Sequence, residues 1–148
     1  MLNSPPSADP DRKRPPVLAH LRFVENAEKF KDLTLEQRFE HIYKTNFWGD
    51  QESRSGLGSA KWATAALRKG LLEILKETES KVLLDAPCGD FNWFSEIADS
   101  VEHYVGGDIV PEIVARNRKL FTAPNRVFLE VDLTRAPLPK ADFIFCRD

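Results

Sequence analysis

The spacing of apolar residues changes near Lys81, from a helical rhythm to short runs separated by polar turns. Upstream, Leu35, Phe39, Ile42 and Tyr43 recur three and four residues apart, which places them on one face of a helix. Thr34-Leu35-Glu36-Gln37 ahead of them has the form of a capping box, with a hydroxyl at the N-cap and an amide side chain three residues on. The helix is predicted to stop between Asn46 and Gly49, where Gly49 can adopt a left-handed conformation. A polar, glycine-bearing loop then runs from Asp50 to Ser59. Ser59 is expected to cap a second helix, with Trp62, Ala66, Leu67, Leu71, Ile74 and Leu75 on its buried face.

Downstream of Lys81 the pattern predicts four strands, over 81–85, 103–108, 126–132 and 142–146. A short helix carrying Trp93, Phe94 and Ile97 should join the first two. Another should run from Pro111, a residue suited to a first helical turn, to about Leu120. Strands alternating with helices imply an α/β fold with a mostly parallel sheet and right-handed crossovers. The link from Leu133 to Ala141 tests the strand order, because it is proline-rich and too short for a crossover helix. In the order 3-2-1-4 it must pass two strands, roughly 14 Å at the usual strand spacing. Nine extended residues reach about 30 Å, so that order is allowed.

Three regions follow from this pass. Residues 1–18 hold five of the ten prolines and too little apolar area to offset chain entropy, so a flexible tail is expected there. Its run Asp11-Arg12-Lys13-Arg14 is short and begins with an acid, which favours a solvated patch over an anion-binding one. Residues 19–80 form a helical cap segment, and residues 81–148 an α/β core.

With 148 residues and 42% hydrophobic positions, the chain can form one domain with a real core. A net charge of -2 gives no nucleic-acid signature, and no apolar stretch is long enough to span a bilayer. The N-terminus lacks the apolar core of a secretory signal. Cys88 and Cys146 cannot make a disulfide framework and lack metal-ligand spacing, and the three histidines are scattered, so a reducing, cytoplasmic setting without a metal is expected.

The chemistry lies in the acids. Asp85, Asp108, Asp132 and Asp148 each follow one of the four apolar runs, at the carboxyl end of a predicted strand, where open α/β sheets bind ligands. After the first strand comes Asp85-Ala86-Pro87-Cys88-Gly89-Asp90-Phe91, a tight turn with one glycine and two acids. A dinucleotide fingerprint would have three glycines here and a helix N-terminus for pyrophosphate. Two carboxylates repel that group by about 1 kcal/mol or more per close pair. A phosphate-free ligand with a cationic end fits better, and S-adenosylmethionine is such a ligand. Asp108, 23 residues after Asp85, is placed to accept from both ribose hydroxyls, and Asp132 to reach the adenine amino group. Against each acid stands the plainer role of a turn former bonding its own backbone. For Asp90 the plainer reading is preferred, as a helix N-cap.

The stretches Leu84-Asp85-Ala86-Pro87-Cys88-Gly89-Asp90-Phe91-Asn92-Trp93, Tyr104-Val105-Gly106-Gly107-Asp108-Ile109-Val110 and Asp142 to Asp148 resemble class I S-adenosylmethionine-dependent methyltransferases. Ile42 to Gly49 and Glu52 to Ser59 resemble the entry segment of a bacterial-type subgroup. The resemblance covers about Phe39 to Asp148. It implies a Rossmann-like parallel sheet of order 3-2-1-4, here incomplete, preceded by N-terminal helices. It also implies cofactor contacts by Asp85, Gly89, Asp108 and Asp132, with Ala86, Phe91, Ile109, Leu133 and Cys146 beside them. Phe91 stands where a second glycine is common. A complete member continues beyond strand 4, so a C-terminally truncated product is expected, with strand 4 left as an apolar edge.

Methyl transfer is an in-line displacement, so positioning is the protein's main task, and a general base is needed only if the acceptor holds its proton. Asp148 is the one candidate base, with a frayed terminus as its plainer reading. Trp48 and Trp93 are candidates to close the site, or core aromatics. Arg54 is a candidate partner for the cofactor's carboxylate, or a solvated loop residue. Cys88 lacks a nearby histidine to activate it and is expected to be a small turn residue. The methyl acceptor is not identified by any motif. Two rival functions remain open: a nicotinamide-dependent oxidoreductase half-domain, and a non-catalytic nucleotide-binding or interaction module.

Overall fold

A computed structural model describes residues 18–147; the proline-rich tail and its basic run, and the candidate base Asp148, lie outside the described residues. Helices α1 (Leu18–Glu25), α2 (Ala27–Phe30), α3 (Leu35–Lys44) and α4 (Ala65–Glu77) precede strand β1 (Val82–Asp85). Then come β2 (His103–Asp108), α5 (Pro111–Phe121), β3 (Arg126–Glu130) and β4 (Phe143–Phe145). All strand pairs are parallel and the sheet order is β3-β2-β1-β4. The 133–141 link crosses without a helix, as its length required. β4 pairs with β1 and lies at the edge, with Ile144 exposed.

The α3 capping box forms as the sequence predicts. Thr34 Oγ1 accepts from the Gln37 amide at 3.2 Å, and Gln37 Oε1 accepts from the Thr34 amide at 3.0 Å. Both Asn46 and Gly49 turn left-handed after the helix. Pro111 opens α5. The core lies on one face of the sheet, where Leu71 and Leu75 of α4 and Val114 of α5 meet Leu83, Tyr104 and Phe128.

Four local expectations fail. Ser59 does not cap α4, which begins six residues later. Residues 61–64 are turns, and the Thr64 hydroxyl donates back to the Ala60 and Lys61 carbonyls. Trp62, Ala66 and Ile74 are exposed, and the buried stripe of α4 narrows to Leu71 and Leu75 with Leu67 beside them. The helix expected after β1 is two isolated 3-10 turns, Phe94–Glu96 and Ala98–Ser100, although Trp93, Phe94 and Ile97 are buried as predicted. Asp90 is therefore not a helix N-cap, for a reason given below. Among the described residues, no helix is long and apolar enough to cross a membrane.

Candidate functional site

A cavity of about 540 Å³ opens at the carboxyl ends of the strands. Its floor contains Asp85 after β1 and Asp108 after β2, with Asp132 beyond β3 and Cys146 beyond β4. Gly89, Ile109 and Leu133 also line it, so seven of the nine expected contact positions share one cavity. The other two do not. Ala86 is fully buried, and its amide donates to the Phe145 carbonyl at 3.0 Å. Phe91 lies in the core, its ring 5.1 Å from those of Tyr104 and Phe121 and 5.2 Å from that of Phe128. Its φ of 59° is the left-handed backbone that a glycine would take without strain. That backbone turns the ring inward, away from the ligand side.

The three described strand-end acids have different surroundings. Asp85 is buried, and Tyr104 Oη donates to its Oδ2 at 2.6 Å. Burial pushes its pKa up to about 8; the Tyr104 hydrogen bond opposes this and the nearby Asp108 adds to it. Asp108 is also buried and raised. Desolvation dominates there against amide donors, Val110 at 3.0 Å to Oδ1 and Gly89 at 2.9 Å to Oδ2. Asp132 is more open, and both the Thr134 amide and hydroxyl donate to its Oδ1, which lowers its pKa. Asp132 thus makes the local turn foreseen as its plainer role while still lining the cavity.

The Cys88–Asp90 turn is clamped from two sides. From α5, Asn117 Nδ2 donates to the Gly89 carbonyl at 2.8 Å and Arg116 Nη1 to the Asp90 carbonyl at 3.2 Å. From the 50–59 loop, Ser53 Oγ and the Arg54 amide donate to the Asp90 carboxylate, while Ser55 Oγ accepts from the Asp90 amide. This tether is why Asp90 does not start a helix. Its carboxylate is engaged by a segment 36 and 37 residues away. A β-carbon on Gly89 would come within 2.4 Å of Ser55 Oγ, so the close approach requires glycine there. The Cys88 thiol is pushed well up by burial, with Asp85 and Asp108 adding, so it stays protonated and is a poor nucleophile.

The outer wall comes from the cap segment. Leu35 and Phe39 of α3 are exposed yet line the cavity, together with buried Ile42 and Tyr43. Trp48 and Trp93 both line it as well; Trp93 is also packed in the core, its ring 4.5 Å from that of Phe94. Arg54 lines the cavity with its guanidinium carbon 5.5 Å from the Tyr43 ring centre. The Asp90 tether, the Tyr104–Asp85 bond and the α3 wall were not read from the sequence. The only signal for the first was the serine-rich run Glu52 to Ser59 itself.

This donor set is rich in acceptors. Four aspartates, Asp85, Asp90, Asp108 and Asp132, line a cavity together with Arg54 and Arg147, and its remaining walls are largely apolar and aromatic; the Asp90 carboxylate is already engaged by Ser53 and Arg54. Hydroxyl and ammonium donors fit it, whereas a pyrophosphate would meet Asp85 and Asp108 and find no helix N-terminus after β1. Among the described residues, no group of three or more His, Cys, Asp or Glu could hold a metal ion.

No protein-family model matches the chain, and no curated protein matches it in sequence. Solved structures do match. An S-adenosylmethionine-dependent methyltransferase from Anabaena variabilis aligns with a TM-score of 0.50 and 18% identity, over 68% of this chain and 40% of that one. An amino pentose methyltransferase from Micromonospora echinaspora, in a structure with bound S-adenosylmethionine, aligns with a TM-score of 0.49 and 17% identity, over 79% and 44%. This chain thus spans less than half the length of either. At this identity the Anabaena likeness shows the fold alone: a Rossmann-like parallel sheet as in class I S-adenosylmethionine-dependent methyltransferases.

Proposed function

We propose that this chain is the cofactor-binding portion of a methyltransferase and holds S-adenosylmethionine in the strand-end cavity. The observation that carries this reading is the convergence of Asp85, Asp108 and Asp132 on one cavity beside a turn that offers no phosphate cradle. In this reading Asp108 accepts from the ribose hydroxyls, using lone pairs left beside its two backbone donors. Asp85 meets the cationic end of the ligand. Ile109 and Leu133 flank the adenine ring, and Asp132 faces its amino group. Arg54 meets the ligand's carboxylate from the tethered loop.

When bound, the cofactor supplies a methyl carbon activated by its sulfonium. The chain's own part is positioning and desolvation. The 50–59 loop and α3 close over the strand ends, and the clamped Cys88–Asp90 turn fixes the floor. The acceptor enters from the side walled by Leu35 and Phe39. Calorimetry with S-adenosylmethionine, S-adenosylhomocysteine and NAD tests the proposal. The first two should bind and NAD should not. Asp108→Ala should cost about 1.5 to 3 kcal/mol of that affinity, the usual value of hydrogen bonds to a charge. NAD binding alone would overturn the reading, and an unchanged affinity in the variant would remove Asp108 from the pocket.

A further inference from the structure

We propose that Tyr104 is a positioning residue of the ligand site: its phenol, given room by the missing side chain of Gly106, aims the Asp85 carboxylate at the cationic end of the bound nucleoside. This rests on the cofactor reading above and adds a residue that the strand-end pattern does not contain.

The geometry begins in the sheet register. Leu83 of β1 lies beside Tyr104 of β2, and Asp85 beside Gly106. Tyr104 and Asp85 are therefore diagonal neighbours on one face, within reach of a long side chain. The position directly opposite Asp85 is Gly106. A β-carbon there would stand 3.0 Å from Tyr104 Cε1 and 2.8 Å from Phe128 Cδ1. Any side chain at 106 would displace the ring that reaches Asp85. The ring is held in turn by Phe91 and Phe94, at centroid distances of 5.1 and 5.2 Å.

A buried tyrosine needs a partner for its hydroxyl, and a core backbone carbonyl would serve. Here the partner is a carboxylate that lines the cavity. Among the described residues, Tyr104 is the donor to the Asp85 side chain, and it occupies Oδ2. Oδ1 is left to accept from a ligand. Burial keeps the phenol protonated across the ordinary range, so it remains a donor. Its hydrogen bond favours the ionised form of Asp85 that a cation requires. The other titratable or charged groups that line the cavity with Asp85 are Asp108 on β2, which opposes its ionisation, Cys88 and Asp90 in the turn, Tyr43 on α3, Arg54 in the 50–59 loop, Asp132 beyond β3, and Cys146 and Arg147 beyond β4.

The test compares three nucleosides on the wild-type chain and Tyr104→Phe by calorimetry at pH 6.5 and 8.5. S-adenosylmethionine carries a sulfonium and an ammonium, S-adenosylhomocysteine only the ammonium, and 5′-methylthioadenosine neither. Tyr104→Phe should weaken the first by about tenfold or more, within the range of charged hydrogen bonds. It should leave methylthioadenosine within about twofold. If S-adenosylhomocysteine falls equally, Asp85 meets the ammonium; if it holds, Asp85 meets the sulfonium. The rise in wild-type affinity for the cationic ligand with pH should move to higher pH in the variant, a shift that simple loss of packing would not give. Gly106→Ala, which keeps the hydroxyl but displaces the ring, should reproduce the selective loss. Equal losses for all three nucleosides, or no loss, would overturn the role of Tyr104 while leaving the cofactor reading intact. A wild-type chain that binds none of them would overturn both.

Discussion

Asp85→Asn isolates the energetic consequence of burying an acid at the end of β1. Folding raises the pKa of Asp85 from 3.8 to about 8. Between those values the folded chain keeps a proton that the unfolded chain has released. The stability this group confers is fully present below pH 3.8 and is lost as pH rises through about 8. At about 1.4 kcal/mol per pH unit, an interval of about four units sets a ceiling of about 6 kcal/mol. Water drawn in from the cavity around the ionised carboxylate lowers that, so about 2 to 5 kcal/mol is expected, a large share of the total stability of a small domain. Asparagine has nearly the same shape, keeps an acceptor for Tyr104 and does not titrate. The stability of the variant minus that of the wild type should therefore grow by about 2 to 5 kcal/mol between pH 4.5 and 8.5. Urea unfolding across that range measures it. Taking the difference cancels, to first order, the other shifted acids, Asp108 raised and Asp99, Asp132 and Asp142 lowered. A difference flat within about 0.5 kcal/mol, the usual spread of independent effects, would refute the assignment of a buried proton to Asp85.

Asp90→Ala removes the acceptor for Ser53 Oγ, the Arg54 amide and the Asn92 amide. It should cost about 2 to 3 kcal/mol and make residues 50–59 the first site of limited proteolysis, and an unchanged cleavage pattern would count against the tether. Phe91→Ala should cost about 3 to 5 kcal/mol through the emptied core. Phe91→Gly should cost about 1 kcal/mol less despite being smaller, because φ there is 59°; denaturant midpoints in which alanine is the better replacement would disprove the strain. Thr34→Ala should cost about 1 kcal/mol and speed hydrogen exchange at the first-turn amides of α3.

The sheet was legible because each strand is a short apolar run bounded by turn residues, and because nine extended residues span two strands and nine helical ones barely do. The features that stayed hidden have a common physical form. Asp90 obeys a local capping preference only until Ser53 and Arg54, far away in sequence, offer it better donors. Leu35 and Phe39 have the spacing of a core-facing stripe, but spacing cannot distinguish a face packed against a core from one that walls a cavity. Phe91 was read by its neighbours in the motif as a ligand contact. The sign of its φ, which follows from the turn closed by Gly89, sends the ring the other way.

The strand-end acids share one position in the sequence pattern, after an apolar run, and the sheet order explains why their surroundings differ. In β3-β2-β1-β4 the inner strands are β2 and β1, so Asp85 and Asp108 end chains flanked on both sides, and both are buried with raised pKa values. Asp132 follows the edge strand β3, stays more open, and has a lowered pKa. Depth in the sheet thus grades acids of identical type and local motif, from a proton holder at β1 to an ordinary carboxylate beyond β3. A cation entering this cavity would meet its strongest electrostatic response at the centre, where ionising Asp85 couples binding to proton release, and a weaker one toward the β3 edge. The same order places Asp108 between the two. One extended ligand with a cation at one end and a neutral heterocycle at the other follows that order along its length, its cation meeting the acid whose ionisation binding must drive.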